Sequence, residues 1–572
     1  MRLMAKRPPN LIYGVDDKPP LGTTLLLGLQ HVVVISVGWV FVVVIVTSMG
    51  GTEIQAANII RISMIASGVA TILQALTKGP VGSGYLCPFS SGPSYILASI
   101  TGGKLGGLPL VFGSTIVSGI FEGLLSRILP RLRPLFPPEV TGLVVTMVGT
   151  GLIALACPRF LGSSQAASGL DGRAVTVASL TLAVMVAPTV WSKGKLRLYP
   201  VLIGLGVGYL TAYKVGVLNV SRLDAALDPP LFSFPETAVA RWAFDLSVLP
   251  VFLIASLAST LKSVGDLTLC QKINDTDWKR TDVKSVSGGV LAGSIGTAAA
   301  GLLGGIGQST FSSNVGLSIA TGSTSRSIAV PCGIILVALA FFPKLAAIFT
   351  VMPEPVMGAI LVYVACYMIL AGLQVITSRM LDARKIFVVG ISMIFGLSVD
   401  MVPGLYASVP AVLGPIFNSS LALATILVVL LNLFFRIGIA KRQTLELTPG
   451  VDGSQKIFEF MEIQGGLWGA RRDVIIRATA ALNEFVESAA GLGLVEGKVQ
   501  AEVSFDEFNL DVDIRYDGEL MELPSRRPTE DALLADEKAI VGLSGFLICQ
   551  YADRVKAEMV NGRCRIQMHF DH

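Results

Sequence analysis

Charge is scarce in this chain: Lys, Arg, Asp and Glu make up 15% of its 572 residues, against roughly 25% in an ordinary soluble protein. With 52% hydrophobic residues and a mean hydropathy of +0.68, that scarcity excludes a soluble globular class. Histidine is scarcer still. Of the three, two (His569 and His572) lie at the extreme C-terminus, which argues against histidine-based metal or nucleophile chemistry. The seven cysteines (Cys87, Cys157, Cys270, Cys332, Cys366, Cys549 and Cys564) stand singly, without zinc-ligand or redox spacing. No GxxxxGK[ST] loop is present, which argues against a primary pump. No enzyme activity, cofactor, metal or nucleic-acid partner is therefore expected. The start, MRLMAKRPPNLIYGVDDKPP, is polar and proline-rich, so no cleavable signal peptide is expected either.

What is abundant is apolar sequence in runs of about 20 residues, the length that crosses a bilayer. Such runs fall near 22–48, 57–77, 84–101, 107–128, 138–156, 173–191, 197–215, 244–270, 284–303, 306–322, 328–348, 355–375, 383–400 and 408–436. The reading is an all-α polytopic membrane protein with about 14 transmembrane segments and a small cytoplasmic α/β domain. Residues 1–21 form a cytoplasmic N-terminal segment, 22–436 the transmembrane domain, 437–454 a linker and 455–572 the cytoplasmic domain.

Loop cations set the orientation. Arg127, Arg131 and Arg133 follow the fourth run, and Lys193, Lys195 and Arg197 the sixth. Lys272, Lys279, Arg280 and Lys284 follow the eighth, Arg379, Arg384 and Lys385 the twelfth, and Arg436, Lys441 and Arg442 the last. The longest opposite loop, about 216–243, carries Asp224, Asp228 and Glu236 beside Arg222 and Arg241. Both termini are thus expected in the cytoplasm, with the chain in the inner membrane.

The runs divide into seven and seven, and an odd number per half forces the halves into opposite orientations. The third run of each half is irregular. SGYLCPFSSGPSY and GGIGQSTFSSNVG are full of Gly, Ser and Pro where a lipid-facing helix would be apolar. Broken backbone at membrane depth is tolerated where it is buried or lines a cavity. Paired half-helices would aim their N-terminal NH groups at one midplane point, a site for a polar or anionic solute.

The motifs resemble the nucleobase–ascorbate transporter family, also called nucleobase:cation symporter-2 or xanthine/uracil permeases. Gln30-His31 in LLLGLQHVVV, LFPPEVTGLVVTMVGTGL (135–152), FPKLAAIFTVMPEPVMGAI (342–360) and SSNVGLSIATG (312–322) carry the likeness over about 20–436. The resemblance implies inverted repeats, a core domain sliding against a gate domain, proton- or sodium-coupled uptake of uracil, xanthine or urate, and a homodimer. By the same likeness, His31 resembles a position linking the first span to the eighth.

Two departures alter the expected site. Ser313 stands where the family signature has Gln or Glu, with Asn314 and Gly316 retained. Lys262 stands where the eighth span has Glu, followed by Gly265 and Asp266. Tyr95 matches the third-span aromatic, beside Pro93 and Ser94. The candidate substrate-binding residues are Lys262, Asp266, Ser313, Asn314, Ser94, Tyr95, Gln30 and His31. Lys262 and Asp266, four apart, can form an ion pair on one helical face. Lys262 would also make the pocket positive and favour an anion such as urate, xanthinate or a carboxylate, and the two readings are compatible if the substrate displaces Asp266. Asp266 is the remaining eighth-span candidate for proton coupling, while Asp400 and Glu354 read as interfacial.

Beyond Gln455 an amphipathic helix (RRDVIIRATAALNEFVESAAG), a strand hairpin and a helix–turn–strand follow. This order resembles a histidine-kinase-type ATPase domain of the anti-sigma-factor kinase kind, in degenerate form. Ser488 replaces the Mg²⁺-binding Asn four residues after Glu484, and the Tyr516–Leu520 box misplaces the acid. Gly542–Ile548 keeps a loose glycine-rich turn. The implied role is that of a regulatory or dimerising module, the former through a cytoplasmic protein partner. The rival to a transporter is therefore a solute-responsive membrane sensor that signals through this domain.

Overall fold

The computed structural model describes residues 7–572 apart from 10, 133–136, 164–169, 193–198, 219–227, 239–240, 277, 279–280, 403, 411–412, 436, 438–440, 507–508, 525–526, 529–536 and 561. Of the loop charges above, Arg133, Lys193, Lys195, Arg197, Arg222, Asp224, Lys279, Arg280 and Arg436 lie outside the described residues. The chain divides into two compact units, one of Met1–Gln374 with Ile391–Val429, the other of Val375–Gly390 with Leu430–His572.

In the first unit, the long N-terminal run forms α1 (Leu21–Ile35) and α2 (Val37–Ser48). From Val37 to Val46 every residue of α2 is buried, so the most hydrophobic stretch of the chain is core and not lipid contact. Next come α3 (Glu53–Gln74), β1 (Phe89–Ser91), a 3-10 turn at Pro93–Tyr95 and α4 (Ile96–Leu132). Thr52 and Gln55 close a capping box at the start of α3. Helix α4 is really two pieces, broken at Gly106 and Gly107; Gly107 has φ 70°, which only glycine adopts freely. The first half ends with α5 (Pro138–Gly151), α6 (Ile153–Leu161), α7 (Gly172–Trp191) and α8 (Pro200–Val215).

The second half repeats the pattern. It has α9 (Leu249–Lys272), α10 (Val283–Leu303), β2 (Gln308–Thr310) and α11 (Ser312–Thr321). These are followed by α12 (Ala329–Leu339), α13 (Pro343–Thr350), α14 (Glu354–Ile376), α15 (Ala383–Met401) and α16 (Ser420–Phe435). Helix thus occurs in every apolar range read from the sequence. By length and apolarity, however, eight helices among the described residues can cross a membrane, or nine if the pair Arg326–Leu339 and Pro343–Thr350, bent by 83°, counts as one span. Pro200–Val215 and Ser420–Phe435 are 16 residues each, short of the ~20 a bilayer requires. Two further runs are half strand and half helix.

Small residues let α4 and α10 approach closely. A Cβ on Gly119 would meet the Ala298 nitrogen at 2.5 Å, and one on Gly301 the Ile116 nitrogen at 2.7 Å. The polar N-terminal segment is tied to the end of α11: Ile12 N donates to the Gly322 carbonyl (2.7 Å) and Thr324 N to that of Tyr13 (2.9 Å).

The second unit contains a five-stranded antiparallel sheet of β3 (Arg442–Leu447), β4 (Val499–Phe505), β5 (Asn509–Tyr516), β6 (Arg554–Val560) and β7 (Arg563–Asp571), in the order β3-β4-β5-β7-β6. Its helices are α17 (Ser454–Trp468), α18 (Arg472–Leu492) and α19 (Glu537–Tyr551). Alternate residues of β4 and β5 are buried against Val474, Ala478, Leu482 and Phe485 of α18, as their period-two and helical spacing require. Two expectations are corrected. Residues 437–454 are not a plain linker, because β3 lies within them as an edge strand. The stretch 542–548 is helix, not a glycine-rich turn; Gly545 is required there because a Cβ would meet the Glu522 carbonyl at 2.0 Å. In addition, residues 375–390 belong to this unit. Lys385 Nζ donates to the Gly466 carbonyl (2.6 Å) and Arg379 to that of Gly469 (3.3 Å), placing two cations at the negative end of α17.

Candidate functional site

The two irregular segments pair with each other. Phe89 faces Thr310, Ser90 faces Ser309 and Ser91 faces Gln308 in antiparallel register. The ladder continues at both ends, with Gly92 N donating to the Gly307 carbonyl (2.9 Å) and Phe311 N to that of Pro88 (3.0 Å). These bonds satisfy backbone groups that have no helical partner and no water at that depth. Serine and glycine are required by the crowding: a Cβ on Gly38 would lie 1.9 Å from Ser90 Oγ. Neighbouring hydroxyls complete the ladder, with Phe89 N donating to Thr71 Oγ1 (3.0 Å) and Ser90 Oγ to the Ile35 carbonyl (3.1 Å).

From this ladder the half-helices start, one through Pro93–Tyr95 into α4 and the other at Ser312 into α11. Pro93 fits the first turn because its missing N–H would have no helical partner there. Around the two starts, several buried polar atoms have no hydrogen-bond partner among the described residues. They are Ser91 Oγ, Ser94 Oγ, Gln30 Oε1 and Asn314 Nδ2. Buried polar groups in native proteins are nearly always paired, so such a cluster marks a place where something else supplies the partner. Asn314 is oriented by His31, whose Nδ1 lies 2.7 Å from Asn314 Oδ1. An amide oxygen only accepts, so the imidazole carries its proton on Nδ1. His31 therefore joins the first helix to the tenth run, not to the eighth as its family likeness implied. Ser313 is exposed on α11, with Gly316 open beyond it, while Asn314 is buried behind.

Lys262 forms the ion pair expected with Asp266. Its Nζ lies 2.9 Å from Asp266 Oδ2 and also donates to the Thr310 carbonyl, and Thr310 Oγ1 donates to the same Asp266 oxygen (2.6 Å). The ammonium is thus spent on a carboxylate one helical turn away and on the ladder backbone. An ion pair satisfied this fully is a structural clamp on β2.

The sequence reading named Tyr95 but missed Glu122, Ser259, Thr297 and Gln308. Tyr95, fully buried with its ring against Gly307, donates its hydroxyl to Glu122 Oε1 (2.8 Å). Glu122 is itself buried in α4, and the hydroxyls of Ser259 and Thr297 face its carboxyl. The signal was available: Glu122 is an acid inside GIFEGLLS, and an ionisable residue in an apolar span is functional by default. Gln308 lacked such a signal; its Oε1 accepts from Ser67 Oγ (2.6 Å) and its Nε2 donates to the Ile306 carbonyl (2.8 Å). Among the described residues, no cluster of His, Cys, Asp and Glu has the geometry to hold a metal ion.

The family profile described as the permease family of xanthine and uracil carriers matches residues 22–405. The chain belongs to that permease family. A Clostridium perfringens protein named provisionally as a purine permease is 32% identical over 424 residues, covering 74% of this chain and 92% of that one. The xanthine permease XanP of Escherichia coli K12 is 27% identical over 439 residues, covering 74% and 94%. Among solved structures, the murine Slc26a9 anion transporter in its inward-facing state aligns over 76% of this chain and 72% of its own, with a TM-score of 0.51 and 10% identity. That last likeness is one of fold alone. Family membership and the apolar helices make this a multi-pass membrane permease.

Proposed function

We propose that this permease is a secondary transporter that carries a neutral purine base, of the xanthine type, through the site between its two interrupted helices. The observation that carries the reading is the β1–β2 ladder with unpaired Ser94, Asn314 and Gln30 at the half-helix starts. An amide nitrogen, an amide oxygen and hydroxyls offer both donors and acceptors, which the alternating edge of a purine requires. The purine-permease names of its relatives favour the same class. An anion preference depended on a free ammonium, and Lys262 is paired; a neutral base fits better. Ser313, exposed on α11, is the contact that would vary among solutes.

With this reading go fourteen spans as seven-plus-seven inverted repeats, core and gate domains, coupling to a proton or sodium ion, and a homodimer in the inner membrane with both termini cytoplasmic. The second unit is proposed as a non-catalytic, degenerate kinase-like module that meets a cytoplasmic regulatory protein. The Ser488 hydroxyl donates to the Glu484 carbonyl within its own helix, leaving no Mg²⁺ ligand at that place.

Uptake of labelled xanthine by permease-deficient cells expressing the chain tests the proposal. Xanthine uptake is expected to resist competition by small carboxylates, and Asn314→Ala is expected to lower it at least about tenfold, the equivalent of ~1.4 kcal/mol. No purine uptake by a correctly inserted wild type would refute it.

A further inference from the structure

Glu122 faces the hydroxyls of Tyr95, Ser259 and Thr297, and no salt bridge to it occurs among the described residues. The elements packed most extensively against α4 include α2, α9, α10 and the 93–95 turn. Helix α2 has no titratable residue, and α10 has only Lys284, thirteen positions from Thr297. On α9, Lys262 and Asp266 neutralise each other. The titratable group that faces the carboxyl is Tyr95, and the other facing groups are Ser259 and Thr297. On α4 itself Arg127 lies five residues on, off the Glu122 face.

The two hydroxyls have a second acceptor. Ser259 Oγ lies 3.3 Å and Thr297 Oγ1 3.2 Å from the Gln308 carbonyl, and Thr297 Oγ1 also accepts from Gln308 N (3.2 Å). Each hydroxyl has one proton to give. It can donate it to the Glu122 carboxylate or to the carbonyl of Gln308 in β2, but not to both at full strength. Tyr95, the third donor, stands at the start of the first half-helix.

We infer that Glu122 is a proton-binding site whose charge is read by both interrupted helices. When ionised, the carboxylate draws the protons of Tyr95, Ser259 and Thr297, and the Gln308 carbonyl loses its side-chain donors. One proton taken from a hydronium ion of the solvent converts it to the neutral acid, an O–H bond forming on the carboxyl as one breaks in the hydronium to leave water, and the two hydroxyls return to Gln308. Charge on Glu122 thus loosens β2 opposite Ser91, next to the proposed solute site. The coupling role rests on the transport reading above; proton binding itself does not.

Infrared difference spectra of the purified full chain, taken between acid and alkaline pH, test the site without transport. A protonated-carboxyl stretch is expected, absent in Glu122→Gln and shifted in Tyr95→Phe, which removes one hydrogen-bond donor. A band that survives Glu122→Gln unchanged overturns the inference. In proteoliposomes, Glu122→Gln is expected to retain xanthine exchange while accumulation driven by a pH gradient falls at least about tenfold. Accumulation that persists in the variant, or that follows a sodium gradient instead, also overturns it. If the wild type exchanges no purine, the transport reading fails and the infrared band alone decides the proton site.

Discussion

Asp266 and Glu122 are both acids buried in apolar helices, yet their surroundings differ in kind. Asp266 has a lysine at 2.9 Å and a threonine hydroxyl at 2.6 Å, so its charge is balanced in place. Glu122 has a tyrosine at 2.8 Å and further hydroxyls, so its charge is solvated by donors but balanced by nothing. A balanced pair resists change and holds geometry. An unbalanced acid in a membrane is held only by hydroxyl dipoles, and it can take up and release a proton. The comparison separates a charge-balanced pair at Asp266 and Lys262 from an acid at Glu122 that has hydroxyl partners.

The sharpest way to break this contrast is to remove one partner from each. Lys262→Met leaves Asp266 and the Thr310 carbonyl without their cation, an expected cost of about 3–5 kcal/mol. Thermal unfolding of the full chain in detergent measures it, and Lys262→Met with Asp266→Asn should recover most of the loss. Glu122→Gln should cost under about 1 kcal/mol, because the amide oxygen still accepts from Tyr95. Equal losses from the two changes would erase the distinction.

A second, smaller effect probes how tightly Tyr95 is held for Glu122. Gly307→Ala places a Cβ 2.4 Å from the Tyr95 ring, an overpacking expected to cost about 1–3 kcal/mol. The infrared band of Glu122 should shift in the same variant, since the ring cannot move without its hydroxyl. A stable variant with an unshifted band would show that Gly307 does not position Tyr95.

The smallest effect lies in the second unit, at the paired acid Asp513. Burial pushes the Asp513 carboxyl up, but hydrogen bonds from Arg565 and Arg515 outweigh it and hold it below the usual carboxylate range. The folded chain therefore binds this proton less tightly than the unfolded chain. The contribution is full above the ordinary Asp pKa of ~4 and is lost as pH falls through the depressed value. Solvent screening keeps it under about 1 kcal/mol. Arg565→Ala should reduce the acid sensitivity of hydrogen exchange across β5 and β7, and an unchanged profile would count against the pairing.

Much of this architecture was legible in the sequence because apolar run length and glycine–serine interruptions are local signals. The paired segments at 89–91 and 308–310 follow from two interruptions at matching places in the two halves. What was not legible was side-chain commitment. Whether Lys262 faced a solute or Asp266 depended on a 2.9 Å contact that helical spacing permits but does not require. Glu122 stands alone in GIFEGLLS, and its partners Tyr95, Ser259 and Thr297 lie far from it in sequence, so its place in an apolar run was legible but its surroundings were not. The strand at 442–447 was hidden because an edge strand of mixed charge looks like a linker.

The central claim is that a purine sits where the two half-helices begin, and accessibility at Ser313 tests it most directly. Ser313→Cys, in a background free of the exposed Cys157 and Cys366, can be alkylated by a maleimide with and without saturating xanthine. Protection by xanthine, and none by a small carboxylate, is the expected result. Labelling that proceeds at the same rate in both conditions, in a variant that still takes up xanthine, would place the solute elsewhere.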